Sequence, residues 1–112
     1  MTAIVLPLRT VSEANGRGHW GKRARRARLQ RRVARLLVRA SRVPAGAPAS
    51  DRVVITLTRV GPRELDSDNL ESALKAVRDG VADALGIDDG SPRLEWRYAQ
   101  RRGRPSVLVD IT

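Results

Sequence analysis

The acidic segment ELDSDNLESALKAVRDGVADALGIDD, from Glu64 to Asp89, decides the expected fold and carries the candidate site. The chain of 112 residues has 22 Lys and Arg against 12 Asp and Glu, a formal net charge of +10. Most of the acids fall within this one segment: Glu64, Asp66, Asp68, Glu71, Asp79, Asp83, Asp88 and Asp89. Acids concentrated in a basic chain indicate a metal site on a protein that holds a polyanion.

The middle of this segment has the periodicity of an amphipathic helix, from about Asn69 to Leu85. Its apolar residues recur at helical spacing and form one stripe: Leu70, Ala73, Leu74, Val77, Val81, Ala84 and Leu85. Polar residues fall on the opposite side: Ser72, Lys75, Asp79 and Asp83. Gly86 is the expected C-terminal stop of this helix.

Four strands and a second helix are expected around this segment. Residues 3–8, 52–60, 93–99 and 105–111 have strand patterns, and the last two are expected to form a hairpin through residues 100–104. The other helix runs from about Trp20 to Ser41, with an apolar stripe of Leu29, Val33, Leu36, Leu37 and Ala40. The order β-α-β-α-β-β predicts one small α+β domain over residues 1–112, with a mixed sheet of about four strands and two main helices.

The excess of arginine favours nucleic acid as the partner, because neutralising phosphates releases counterions. A biased genome composition explains the same excess equally well. The first half of the first helix is basic nearly all round, so it is either a phosphate-binding arm or a solvated cationic helix end. The candidate DNA contacts are Arg17, His19, Lys22, Arg23, Arg25, Arg26 and Arg63.

The remaining composition narrows the class of protein. The chain has no cysteine, which excludes disulfides and thiolate metal sites. No apolar run is long enough to span a bilayer, so we expect a cytoplasmic protein without a membrane partner. Trp20 is either a core residue or a side chain that stacks on a base.

Each group of acids also has a purely structural interpretation. Asp68 or Ser67 can cap the second helix, with Glu71 completing a capping box. Asp88 and Asp89 are typical of a turn, and the acids within the helix can pair with nearby basic residues. Taken together, however, the acids match the oxygen ligands that Mg²⁺ prefers, and a basic protein with such ligands suggests a nuclease.

The segments LDSDNL (65–70) and LGIDD (85–89), separated by a helix, resemble the signature of the RusA family of Holliday junction resolvases. The element order is similar over nearly the whole chain. The resemblance implies a Mg²⁺-dependent homodimeric endodeoxyribonuclease that resolves four-way DNA junctions by paired symmetric cuts, in recombination and repair. It also implies that Asp66, Asp68 and Asp89 are the metal-binding catalytic acids.

The chain departs from the family pattern at the catalytic lysine. Many members have a lysine four residues after the second Asp of the motif, where this chain has Ser72. Lys75, one helical turn later, is the candidate replacement, and Asp79 is expected to orient it. The alternatives are a resolvase that binds without cutting, or a non-catalytic basic nucleic-acid-binding protein.

Helix length bears on how the acids meet. A straight helix from Asn69 to Leu85 is about 25 Å long, with Asp66 and Asp68 at one end and Asp89 expected at the other. The acids of one chain cannot share a metal unless the chain after Gly86 runs back along the helix. Two such helices packed antiparallel about a two-fold axis would bring them together, so we expect metal sites completed across a homodimer.

Overall fold

Two helices and four strands occur in the predicted order β-α-β-α-β-β. The computed structural model describes residues 2–10, 20–41 and 52–112. The elements are β1 Thr2–Leu6, α1 Trp20–Ala40, β2 Val53–Gly61, α2 Ser67–Leu85, β3 Leu94–Arg102 and β4 Ser106–Ile111. The predicted α+β class is therefore confirmed. Within these described ranges, no helix combines the length and the apolar composition that crossing a membrane requires.

The four strands form one mixed sheet in the order β1-β4-β2-β3. β3 is parallel to β2, as expected for strands joined by a helix, and β4 is antiparallel to both β1 and β2. The predicted hairpin between the last two strands is wrong, because β2 lies between them. β3 extends to Arg102, and the link to β4 passes the end of β2, where the Gly103 N–H donates to the Gly61 carbonyl at 3.0 Å.

Both helices pack on one face of the sheet. β2 alternates as predicted, with Val53, Ile55 and Leu57 buried against the helices and the residues between them half-buried. The predicted stripe of α2 is buried in full and forms the centre of the core. The opposite face of the sheet is open among the described residues, where Val5 is 63% exposed.

The apolar stripe predicted for α1 is confirmed only in part, because Val33 and Leu37 pack against the core but the other members of the stripe do not. The residues that α1 buries are Gln30, Ala34 and Val38, whereas Leu29 is 58% and Leu36 48% exposed. Ala34 is the small residue of this buried side, and it lies where the two helices cross closely. A Cβ built on Gly80 of α2 would lie 2.3 Å from the Arg31 carbonyl oxygen and 2.7 Å from the Ala34 Cβ.

Gly86 ends α2 and turns the chain back along it. This residue has φ 69°, a left-handed conformation that favours glycine. The Gly86 N–H donates to the Asp83 carbonyl and the Ile87 N–H to the Ala82 carbonyl, both at 3.2 Å, so the last turn of α2 is capped. The reversal places the following acids beside α2 rather than beyond its end.

Candidate functional site

The first two candidate acids lie at the start of α2. Asp66 occupies the N-cap position, yet its side chain makes no capping hydrogen bond. Asp68 lies in the first turn, and both residues are exposed. The expected capping by Asp68 or Ser67 is therefore wrong. Among the described residues neither carboxylate has a hydrogen-bonding or ion-pair partner, which leaves both available to a ligand.

Gln100 of β3 holds the backbone that leads into these acids. Its Oε1 accepts a hydrogen bond from the Leu65 N–H at 2.9 Å, and its Nε2 donates to the Leu65 carbonyl at 2.7 Å. The side-chain amide thus replaces a strand partner for the residue directly before Asp66. Sequence reasoning placed Gln100 in a loop. Extending the alternation of Leu94, Trp96 and Tyr98 by two residues would have placed it on the same face.

Gln100→Ala is expected to lower the free energy of unfolding by about 1–2 kcal/mol, because it leaves the Leu65 N–H and carbonyl without their partner. Because Leu65 positions Asp66, we also expect DNA cutting to fall more than DNA affinity. Urea denaturation, cutting rates and junction binding would measure the three effects. Gln100→Glu keeps the acceptor but turns a carboxylate toward the Leu65 carbonyl, so it should also lower stability. Unchanged stability in both variants would contradict this positioning role.

Asp89, the third candidate acid, lies beside the middle of α2. Its Oδ2 is 3.1 Å from the Lys75 Nζ and 3.3 Å from the Arg78 Nε. The expectation that Asp89 lies at the far end of the helix is wrong, because Gly86 reverses the chain. Along the helix axis, Lys75 is about 10 Å from Asp68. Within one chain, Asp68 and Asp89 are therefore closer to each other than the full length of the helix implied.

The turn that carries Asp89 is fixed to β3 by Trp96 and to α2 by Arg78. The Asp89 carbonyl accepts hydrogen bonds from the Trp96 Nε1 at 2.9 Å and from the Arg78 guanidinium at 3.1 Å. Arg78 also lies over the Trp96 ring at 4.7 Å and donates to the Tyr98 hydroxyl at 2.9 Å. Trp96 and Tyr98 also pack against the core. Sequence reasoning missed that the same residues position Asp89.

Lys75 connects Asp89 with Asp79. Its Nζ donates to the Asp79 Oδ1 at 2.7 Å, so the expected pairing one turn apart is confirmed. The Asp79 hydrogen bond, with a smaller contribution from Asp89, raises the pKa of Lys75. The Lys75 hydrogen bond in turn lowers the pKa of Asp89. Lys75 is therefore a cation at neutral pH, suited to contact a phosphate rather than to accept a proton.

The candidate metal ligands do not form one group within a single chain. In the part of the chain that the structure describes, no three His, Asp or Glu residues lie close enough together to hold a metal ion. Asp66 and Asp68 nevertheless provide two carboxylates, two residues apart, that have no partner in the described part of the chain. Mg²⁺ commonly takes one or two protein carboxylates and completes its shell with water and phosphate oxygens. The donor set of this pair therefore fits Mg²⁺.

A cleft of about 440 Å³ joins the start of α1 to the centre of α2. Trp20 and Arg23 line it on one side, and Ser72, Lys75 and Asp79 on the other. Trp20 is 81% exposed, so it is not a core residue. The cleft places the basic half of α1 directly beside Lys75.

Of the other candidate DNA contacts, three lie on α1 without lining this cleft, and Arg63 lies before α2. Lys22, Arg25 and Arg63 are exposed, and Arg26 is half-buried. Arg17 and His19 lie outside the described residues. The exposed cations on α1 and before α2 are accessible to a DNA backbone. Phosphate binding by this surface stays a prediction.

Asp83 pairs across the helices rather than along α2. Its two oxygens accept from the Arg31 Nε at 2.7 Å and from a terminal nitrogen of the same guanidinium at 2.9 Å. This bidentate pair joins α1 to α2 close to Gly80. The Arg31 hydrogen bond lowers the pKa of Asp83.

The Arg31–Asp83 pair makes stability depend on pH. Because the folded-state pKa of Asp83 is below the unfolded value of about 3.9, its contribution is present above that pH and is lost as pH falls further. Asp83→Asn should lower the free energy of unfolding at pH 7 by at most about 1 kcal/mol, since the pair is partly exposed. Urea denaturation at pH 7 and at about pH 2 checks this. A difference from wild type that persists at the acidic pH would contradict it.

No protein-family model matches the chain. A search of curated proteins finds similarity to an uncharacterized protein of Xylella fastidiosa strain Temecula1, which is 35% identical over 93 residues. The match covers 80% of this chain, and the chain spans about 61% of the relative's length.

Proposed function

We propose that this protein is a Mg²⁺-dependent endodeoxyribonuclease that resolves four-way DNA junctions. One observation carries the proposal: Asp66 and Asp68 are exposed carboxylates without a partner among the described residues, in a chain of net charge +10. In a chain so rich in arginine, acids whose carboxylates make no capping hydrogen bond and no ion pair with any described residue are available to a metal ion. The adjacent cationic surface supports DNA as the substrate.

Asp66 and Asp68 are the residues that would hold Mg²⁺. When bound, such an ion activates water and stabilises the oxygen that leaves during phosphodiester cleavage. The protein's own contribution is to position the acids, through Gln100 and Leu65, and to bring a cation near the phosphate, through Lys75. The distance from Lys75 to Asp68 along α2 is compatible with both contacting one stretch of DNA backbone.

The proposed homodimer must form around the exposed strip of α2. α1 covers one side of α2, with Gly80 against the Arg31 backbone, and the sheet covers another. Antiparallel packing of two α2 helices can therefore use only the strip that carries Asp68, Glu71 and Lys75. This strip is polar, so an α2–α2 contact alone would be small.

The position of Asp89 is compatible with a metal site shared by two subunits. Asp89 lies beside the middle of α2, level with the turn that follows Lys75. A two-fold axis near Ser72 would place Asp89 of one subunit opposite Asp68 of the other. Two such sites related by symmetry would suit the paired cuts that junction resolution requires.

A second candidate function is a resolvase-like protein that binds branched DNA without cutting it. The observation that favours it is the state of Asp89, whose carboxylate is already neutralised by Lys75 and Arg78. A metal ligand that must first break two ion pairs is a weaker ligand. Ser72, at the position of the family lysine, also favours a protein that binds without cutting.

The deciding experiment compares a synthetic four-way junction with a linear duplex of the same sequence, each with and without Mg²⁺. Paired symmetric cuts in the junction alone, only with Mg²⁺, are expected. Tight junction binding without cuts would favour the second candidate. Equal binding of both DNAs without cuts would leave a general nucleic-acid-binding protein. Sedimentation of the active species tests the dimer, which a cutting monomer would exclude.

A further inference from the structure

Arg59 is a buried arginine that has no acidic partner among the described residues. It occupies the position of β2 that follows Val53, Ile55 and Leu57 on the core side of the sheet, and it is 6% exposed. Its guanidinium donates to two backbone carbonyls, of Arg63 at 2.7 Å and of Thr10 at 3.3 Å. No described carboxylate lies within ion-pair distance of it. Arginine is rarely buried to this degree unless it is paired.

Two buried polar atoms beside this arginine also lack partners. The Arg59 Nε and the Thr10 Oγ1 have no hydrogen bond among the described residues. Burial lowers the pKa of Arg59, and the positive charge of Arg9 lowers it further. An unpaired buried charge and an unsatisfied hydroxyl both cost free energy. An anion bound at this place would satisfy both groups.

A cavity of about 500 Å³ lies at this position. Arg9 and Arg63, both exposed, line it together with Arg59 and Thr10. The three arginines come from the segment after β1, from the end of β2 and from the link to α2. Gly61 allows the guanidinium to lie over the backbone, because a Cβ there would approach the Arg59 guanidinium to 3.0 Å.

We propose that this cavity, formed by Arg9, Thr10, Arg59 and Arg63, binds a phosphate group of the substrate DNA. Arginines present several donors in a planar arrangement that matches phosphate oxygens, and the Thr10 hydroxyl adds a further donor. The phosphate supplies the negative charge that Arg59 lacks. The DNA part of this inference rests on the proposed function, whereas binding of the phosphate group itself does not.

The cavity is lined by part of the segment that leads to the candidate acids. Arg63 is three residues before Asp66, and Leu65, which Gln100 fixes, also lines the cavity. A phosphate bound here would hold the DNA strand close to Asp66 and Asp68. The site is separate from the cleft at Trp20 and Lys75, so the two together would hold the DNA backbone at two points.

The first test measures thermal stability with inorganic phosphate or with chloride at the same ionic strength. Phosphate is expected to raise the Tm of the wild type more than chloride does. Arg59→Met removes the buried charge and keeps much of the volume, so it should lose the response to phosphate, whatever its own melting temperature in chloride. Arg63→Ala, an exposed change, should weaken phosphate binding at least tenfold without unfolding the protein. A wild type that shows no specific response to phosphate would overturn the proposal.

The second test measures binding of DNA and uses a control of equal charge. Arg9→Ala with Arg63→Ala should weaken junction binding at least tenfold. Arg52→Ala with Arg97→Ala removes the same charge from exposed residues near Glu95, and this pair should weaken binding much less. Equal losses in both pairs would mean that only overall charge matters and would overturn the DNA part of the proposal. A wild type that responds to phosphate but cuts no DNA, with variants of the cavity that lose this response, would retain the phosphate site and exclude the nuclease.

Glu13 provides a further check because it lies outside the described residues. Glu13→Gln is expected to leave the phosphate response of the protein unchanged. A response that arises only after this substitution would identify Glu13 as the partner of Arg59 and overturn the proposal.

Discussion

Asp68→Asn is expected to reduce the rate of junction cutting by at least about 10²-fold, because a metal-bound carboxylate contributes several kcal/mol of transition-state stabilisation. The amide is a weaker ligand for Mg²⁺ and keeps the size of the side chain. Asp68 is exposed and has no partner among the described residues, so its replacement breaks no contact. Single-turnover cutting of a labelled junction at saturating protein measures this effect.

The same variant should fold and bind DNA normally. The loss of an acid from the first turn of α2 costs at most about 1 kcal/mol through the helix dipole. Removing a negative charge next to the DNA backbone should leave junction affinity unchanged or make it tighter. Thermal melting and a gel-shift titration without Mg²⁺ would show whether both properties are retained.

Glu64→Gln is the matched control for Asp68→Asn. Glu64 is an exposed acid before α2, close in sequence to Asp66, and it has no proposed metal contact. It should cut at the wild-type rate. Equal loss of cutting in both variants would show that the general negative charge of this region matters, and the assignment of Asp68 as a metal ligand would be withdrawn.

Local patterns predicted every helix and strand but not which strands pair. The alternation of β2 and the helical spacing in α2 are properties of a few neighbouring residues, and both predictions are confirmed. The hairpin prediction failed because residues 103–105 form a short, glycine-containing link, which locally resembles a hairpin turn. The pairing is decided by α2 instead, since a helix between two strands favours parallel neighbours.

The sequence of α1 does not show which of its faces is buried most, because the helix has more apolar residues than it buries. Leu29 and Leu36 have the expected spacing, but a close crossing with α2 requires small side chains. Ala34 therefore faces inward, and Gln30 is buried beside it, with its amide donating to the Arg9 carbonyl at 3.4 Å. The decisive residue, Gly80, lies on the other helix.

The candidate acids were found from sequence, whereas their supports were not. The two short motifs that carry the family resemblance contain Asp66, Asp68 and Asp89. Gln100, Arg78 and Trp96 act through contacts between residues 7 to 35 positions apart, and such contacts depend on the register between elements. That register follows from the parallel pairing of β3 with β2.

Gly80→Ala is expected to destabilise the protein by about 1–3 kcal/mol, as overpacking in a filled interface does. In an ordinary helix interior the same change stabilises by about 0.5–1 kcal/mol, because alanine is the better helix former. The sign reverses here because the new methyl group would lie 2.3 Å from the Arg31 carbonyl oxygen. A backbone atom cannot move aside as the end of a flexible side chain can, so α1 must shift.

The shift of α1 gives Gly80→Ala a second effect that separates it from a simple loss of stability. Arg31 would move away from Asp83, and Trp20 and Arg23 would move relative to Lys75, so DNA affinity should fall even at temperatures where the variant remains folded. Urea denaturation and DNA titration at 10 °C measure the two effects separately. Gly90→Ala is the control, since its new methyl group would meet only the Asp88 carboxylate at 3.5 Å. If Gly80→Ala were as stable as Gly90→Ala, the helices would not cross as closely as their small residues indicate.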